Sequence, residues 1–125
     1  MIKHYLRVEI ADRPSQHAKG LMYRQKLGED DGMLFKFSRP DNLKFWGVNT
    51  YIPLAIAFVS SEKEIVKISY ISPCSDKAIM SGVDCDAAIE ANYDFFKKNN
   101  IWVGDKIEVI NKGEETLIKF IDGKS

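Results

Sequence analysis

Residues 44–59, KFWGVNTYIPLAIAFV, constrain the fold more than any other stretch of this chain. After Lys44 the run is largely apolar, broken near its middle by Asn49, Thr50 and Pro53. Asn and Thr side chains bond nearby backbone and favour turns, so Asn49-Thr50 is read as a turn between strands predicted over 43–48 and 51–59. Asn49 is expected either to take a left-handed geometry or to tie the turn with its own hydrogen bonds. Pro53 has no N–H to give a central ladder, which places it at a bulge or a sheet edge. A strand-turn-strand unit this apolar needs a sheet and a core around it.

Elsewhere the hydrophobic period is mostly two. Ile2, His4, Leu6, Val8 and Ile10 alternate with Lys3, Tyr5, Arg7 and Glu9, as in a strand buried on one face. Met33, Phe35 and Phe37 repeat the pattern, and further strands are predicted over 65–71 and 87–91. A closing hairpin is predicted from 101–110 and 116–121, turning around Asn111-Lys112-Gly113. Pro14, with Asp12 just before it, opens a short helix over 14–23 that sets Ala18, Leu21 and Met22 on one face. A second short helix over 93–99 carries Tyr93, Phe95 and Phe96. Residues 72–86 are rich in Ser, Pro, Gly and Asp and lack a period; a loop of that length in a small domain is expected to engage something. The expected class is α+β and β-rich, a small domain with a mixed or antiparallel sheet or a barrel-like arrangement and one or two short helices.

At 125 residues, 45% hydrophobic and 29% charged, the chain suits one domain around one core. Eighteen Lys and Arg cancel eighteen Asp and Glu, which leaves no global field to hold nucleic acid or an anionic membrane surface. The opening MIKHYLRVEIADRP lacks the apolar core of a signal peptide, and no apolar run approaches the ~20 residues that cross a bilayer. A cytoplasmic or virion location without membrane insertion is expected. Cys74 and Cys85 would be thiols in a reducing compartment, although their spacing leaves a disulfide open.

Five ordered blocks carry a resemblance: GLMYR at 20–24, GMLFKF at 32–37, FWGVNTYIPLAIAF at 45–58, SPCS at 72–75 and IWVGDKIEV at 101–109. Together they resemble the domain-of-unknown-function family 192, over about residues 8–109. The resemblance implies a small β-rich domain with one or two short helices and no established activity. Many bacterial relatives carry a secretion or lipoprotein leader, while others occur in archaea and tailed phages; this leaderless form suits a cytoplasmic or phage setting. The family's usual FWM-x-NT-x-IPLD has Met and Asp where this chain has Gly47 and Ala55, so an acid–base role for that aspartate cannot apply here.

Candidate chemistry is sparse. A guanidinium at Arg24 beside Trp46, Asn49 and Thr50 would present a donor fork, a stacking face and two polar side chains to an anionic or sugar-like ligand. The alternative is that Arg24 binds backbone carbonyls or pairs with an acid such as Asp105, with Trp46 in the core. A nucleophilic Cys74 or Cys85 would need His4 or His17 as a base, and Asp84 and Asp86 beside Cys85 oppose thiolate formation. Paired zinc spacings are missing, and Glu29-Asp30-Asp31 lacks the spacing of a calcium loop, so no metal or cofactor is expected. Lys97 and Lys98 beside Tyr93, Phe95 and Phe96 read as a helix with buried aromatics, not a nucleic-acid platform.

Two readings follow. The first is a non-enzymatic binding or structural module, an accessory protein of a virion or other large assembly, docking on partner proteins through Ser72, Pro73, Cys74, Ser75, Asp76 and Asp84. The second is a small-ligand-binding domain or weak enzyme with a pocket around Arg24, Trp46 and Asn49.

Overall fold

The computed structural model describes residues 1–124. Alternation over the first residues becomes β1 (Ile2–Ala11), and the Pro14 start signal becomes α1 (Pro14–Lys19). Gln16 Oε1 accepts the free N–H groups of Asp12 and Arg13 at 3.0 and 3.1 Å, which closes the start of α1. The helix is shorter than the predicted 14–23 because Gly20 takes φ +48° and Tyr23 φ +67°, bending the chain so that Leu21 turns inward.

The other strands are β2 (Asp31–Asp41), β3 (Lys44–Phe45), β4 (Leu54–Val59), β5 (Ile65–Ile71), β6 (Ile79–Met80), β7 (Cys85–Asn92), β8 (Lys106–Lys112) and β9 (Glu115–Ile121), with α2 at Phe95–Lys98. Seven of them form one sheet in the order β5-β4-β7-β2-β1-β9-β8, and β3 pairs with β6 in a small second sheet. Neighbours in the large sheet are antiparallel except β1 and β2. A parallel pair cannot be joined by a tight turn. The connection through α1 therefore has to cross a face of the sheet, and this places α1 over the site described below.

The two sheet edges meet at one end. Glu64 bridges Lys106, Ile65 N–H donates to Asp105 O at 2.9 Å, and Ile107 N–H donates to Lys63 O at 2.9 Å. The result is a strongly coiled mixed sheet and not a closed barrel. Asp105 fastens the same corner: its carboxylate accepts from Lys3 Nζ at 2.8 Å, Trp102 N–H at 2.9 Å and Gly123 N–H at 3.1 Å. Burial pushes this carboxyl up, but the three donors together hold it below the ordinary aspartate value.

Each face of the sheet has its own core. One contains Leu6, Val8, Leu34, Ile89, Phe95, Phe96 and Phe120; the other contains Leu21, Met33, Phe35, Phe45, Ile56 and Phe58. β4 is buried at all six positions because it contributes to both. The second core is roofed by the chain around α1 and by the small β3–β6 sheet.

Several boundaries differ from the sequence expectation. The strand predicted over 43–48 is only β3, because residues 47–50 close a turn in which Thr50 N–H donates to Gly47 O at 3.0 Å. Asn49 in that turn is left-handed, with φ +57°. Pro53 lies just outside β4, where it withholds nothing from the ladder. β2 continues through residues 38–41, beyond the alternation of Met33, Phe35 and Phe37. The strand predicted over 87–91 is the longer β7, an interior strand between β4 and β2.

Candidate functional site

β7 runs between β2 and β4, so both of its edges are paired, and its residues enter the cores on both faces of the sheet. Ala87, Ile89 and Ala91 belong to the first core. By alternation Ala88 and Glu90 face the second. Glu90 sits opposite Met33 of β2 and Ile56 of β4, both members of that second core. A carboxyl is thereby placed on an apolar surface and is only 5% exposed.

Buried carboxylates normally come with donors or a cation. Glu90 has neither: among the described residues, no hydrogen bond or ion pair reaches it. Burial pushes its carboxyl up to about 8. Near neutral pH the group is mostly COOH, which offers one donor and one acceptor.

Glu90 lines a pocket of about 430 Å³ together with residues of the α1 crossover and of the loop after β3. Ligand pockets commonly fall between about 300 and 1,000 Å³. Phe35 and Phe45 supply aromatic walls in edge contact, with ring centroids 4.9 Å apart at 76°. Trp46 also lines the pocket but is 50% exposed, which places the indole at the mouth. Leu21 and Met22 line the crossover side, while Lys19 and Lys44 are exposed lining residues. His17 is committed elsewhere: its Nε2–H is shared between Lys36 O at 2.8 Å and Ala11 O at 3.0 Å, and its ring stacks on Phe37 at 4.1 Å.

The residues singled out from sequence are divided by the structure. Trp46 and Thr50 line this pocket. Arg24 lies in a separate cleft of about 420 Å³, where its guanidinium forms a two-pronged pair with Glu9. That pair, led by the Arg24 hydrogen bond, holds the Glu9 carboxyl below its ordinary value. The acid partner of Arg24 is thus Glu9, while Asp105 is taken by Lys3. Asn49 does not line the pocket but braces its wall: its amide donates to Tyr23 Oη at 3.1 Å, and its carbonyl accepts from Tyr23 N–H at 2.8 Å.

Ser72, Pro73, Cys74, Asp76 and Asp84 are exposed, with Ser75 half-buried. Their loop is folded onto the 47–50 turn: Gly47 N–H donates to Ser75 O at 2.9 Å, and Cys74 N–H donates to Thr50 O at 2.9 Å. A Cβ added at Gly47 would stand 2.2 Å from Ser72 O, so only glycine permits this approach. Cys74 and Cys85 are both free thiols; burial pushes the Cys85 thiol up, away from nucleophilic use near neutral pH. Among the described residues no group of His, Cys, Asp and Glu gathers as a metal-ligand set, and no helix is long and apolar enough to cross a membrane.

Glu90 is the site residue that sequence reading passed over. Its signal was a single acid inside the apolar AAIEA of a strand, in phase with buried positions. Without knowing that β7 is central, a lone Glu at a strand end reads as solvated.

These features define a β-rich α+β domain with an aromatic pocket floored by a lone buried carboxyl. The chain belongs to the DUF192 family, described as an uncharacterised ACR, whose model matches residues 2–109. Two crystal structures are similar. One, from Sinorhizobium meliloti 1021 and described as a candidate transcription regulator, is 37% identical, with a TM-score of 0.82 over 84% of this chain and 82% of its own. The other, a protein of unknown function from Novosphingobium aromaticivorans DSM 12444, is 35% identical, with a TM-score of 0.80 over 82% of this chain and 74% of its own. No curated protein matches the sequence.

Proposed function

We propose that this protein is a small-ligand-binding domain whose site is the pocket between α1, Phe45, Trp46 and Glu90. The observation that carries the reading is Glu90 itself. A carboxyl this far buried, with no protein partner, costs folding energy that an apolar residue of similar size would not cost. Its presence on the wall of a ligand-sized aromatic cavity is accounted for if the missing partner arrives with a ligand. Thr50 adds a buried hydroxyl to the same lining, and Trp46 at the mouth offers a face for stacking.

The test is a two-dimensional NMR screen of small aromatic and alicyclic fragments against the ¹⁵N-labelled protein. Hits are expected to move the Trp46 indole N–H and the Thr50 amide while leaving Tyr93 and Lys97, on the far side of the sheet, in place. A screen whose hits scatter over the surface, or that yields none at millimolar fragment, refutes the proposal.

A second reading, docking on a partner protein in a virion or other assembly, is favoured by the exposed Met80 and Val83 beside the 72–76 loop. Sedimentation of the native protein with large particles would support it, and sedimentation at monomer mass would count against it. The balanced charge of this chain supplies no global field for a phosphate backbone, so nucleic-acid binding would need a local basic patch.

A further inference from the structure

Resting on the pocket reading above, we infer that the ligand is an organic cation, an amidinium or ammonium on a flat apolar body, whose charged end meets the Glu90 carboxyl. The cavity sets the terms. Its inner wall holds one acid with no counter-charge, and the surfaces nearest it across the sheet, Met33, Phe35 and Ile56, carry no charge. Of the charged or titratable groups lining the pocket, His17 is fastened to two carbonyls, and Lys19 and Lys44 are exposed. On β7 the nearest other acid is Asp86, four residues and about 13 Å along the strand.

A cation entering this space replaces the counter-charge that the protein omits. Against the apolar walls of this cavity that pairing is stronger than at an open surface. The walls suit the same charge: Phe35, Phe45 and Trp46 line the cavity, and aromatic rings attract cations over their faces. Lys19 and Lys44 stand in solvent, where salt screens them over about 8–10 Å. They slow the approach of a cation more than they weaken the bound pair. An anion would find only screened attraction outside and, within, a single O–H donor from a carboxyl that it cannot ionise to advantage.

Proton balance gives the inference a signature. The carboxyl is mostly protonated when the pocket is empty, so pairing with a cation ionises it and releases one proton to the buffer. Affinity for the cation then rises by about tenfold per pH unit until the free carboxyl ionises by itself.

The experiment compares benzamidine with benzamide, its flat neutral counterpart, by titration calorimetry at pH 6 and pH 7 in two buffers of different ionisation enthalpy. Benzamidine is expected to bind about tenfold more tightly at pH 7 and to release close to one proton, while benzamide binds more weakly and without pH dependence. Glu90→Gln is expected to erase both the pH dependence and the preference for the cation. The wild-type pH series decides the matter even if that variant folds poorly. If benzamide binds as well as benzamidine and neither depends on pH, the cation inference is overturned and the pocket proposal survives. If neither compound binds nor moves the Trp46 indole signal, both fail.

Discussion

Replacing Glu90 by Gln should change how stability depends on pH, and the direction follows from where the proton sits. In the unfolded chain the carboxyl ionises at its ordinary 4.5, whereas in the folded protein it holds its proton up to about 8. Below 4.5 both states are protonated and the group contributes no pH dependence. Between 4.5 and 8 only the folded state keeps the proton, so stability falls as pH rises; above 8 the folded carboxyl ionises too and the loss levels off. At about 1.4 kcal/mol per pH unit across that interval the cumulative loss is about 5 kcal/mol. A chain of 125 residues shifts its Tm by about 4 °C per kcal/mol, so the effect amounts to ~20 °C. The glutamine amide of the variant has nothing to ionise. Urea unfolding of both proteins from pH 5 to pH 8.5 should therefore show wild type losing stability steadily while the variant stays flat, the two starting within about 1–2 kcal/mol of each other at pH 5. Asp105 and Glu9, whose carboxyls are held low, titrate below this window and contribute little slope inside it. Parallel curves for the two proteins would refute the reasoning, because they would mean that Glu90 is solvated or paired in the native state.

Three further outcomes are expected. Lys3→Met strips the buried Asp105 carboxylate of its cation and should cost about 3 kcal/mol in urea unfolding near neutral pH. Because the folded Asp105 carboxyl is held low, its stabilisation is lost as pH falls, and the Lys3→Met penalty should shrink toward pH 2–3. Gly47→Ala forces a Cβ to within 2.2 Å of Ser72 O and should lower stability by about 2–3 kcal/mol; an unchanged denaturation midpoint would show that the 72–75 loop does not rest on this turn. Arg24→Ala breaks a pair that is 34% and 56% exposed, so it should cost no more than about 1 kcal/mol and leave fragment shifts at Trp46 unaltered.

Much of the fold is legible because period-two burial leaves a direct trace. β1, the start of β2, β5 and β9 lie close to where alternation puts them, and Pro14 marks the helix start. The first strand of the closing hairpin, predicted from residue 101, instead begins only at Lys106 and runs on through Lys112. What alternation cannot give is pairing order. Which strand is central depends on contacts between residues far apart in the chain, such as Ile89 with Leu34 on one side and with Ala57 on the other. The central place of β7 emerges only from those ladders. The candidate site suffers from the same limit. Trp46 and Thr50 stand out as polar or aromatic interruptions in an apolar run and do line the pocket. Arg24 stands out for the same reason, yet it faces Glu9 on β1, because the bend at Gly20 and Tyr23 turns the chain after α1 toward that strand. Glu90 carries the site's unusual chemistry and looks ordinary in sequence, since a carboxyl becomes unusual only through what surrounds it.

The charge state of Glu90 can be read directly. Carbon-detected NMR of the glutamate side-chain carboxyls, titrated from pH 4 to pH 10 in wild type and Glu90→Gln, separates this group from the other glutamates. The account predicts one carboxyl carbon that titrates near 8, is missing from the variant, and titrates at lower pH once benzamidine is bound. If every glutamate carboxyl in the wild type titrates within the ordinary range near 4.5 or below it, Glu90 is solvated or paired, and the pocket loses the feature on which its proposed ligand depends.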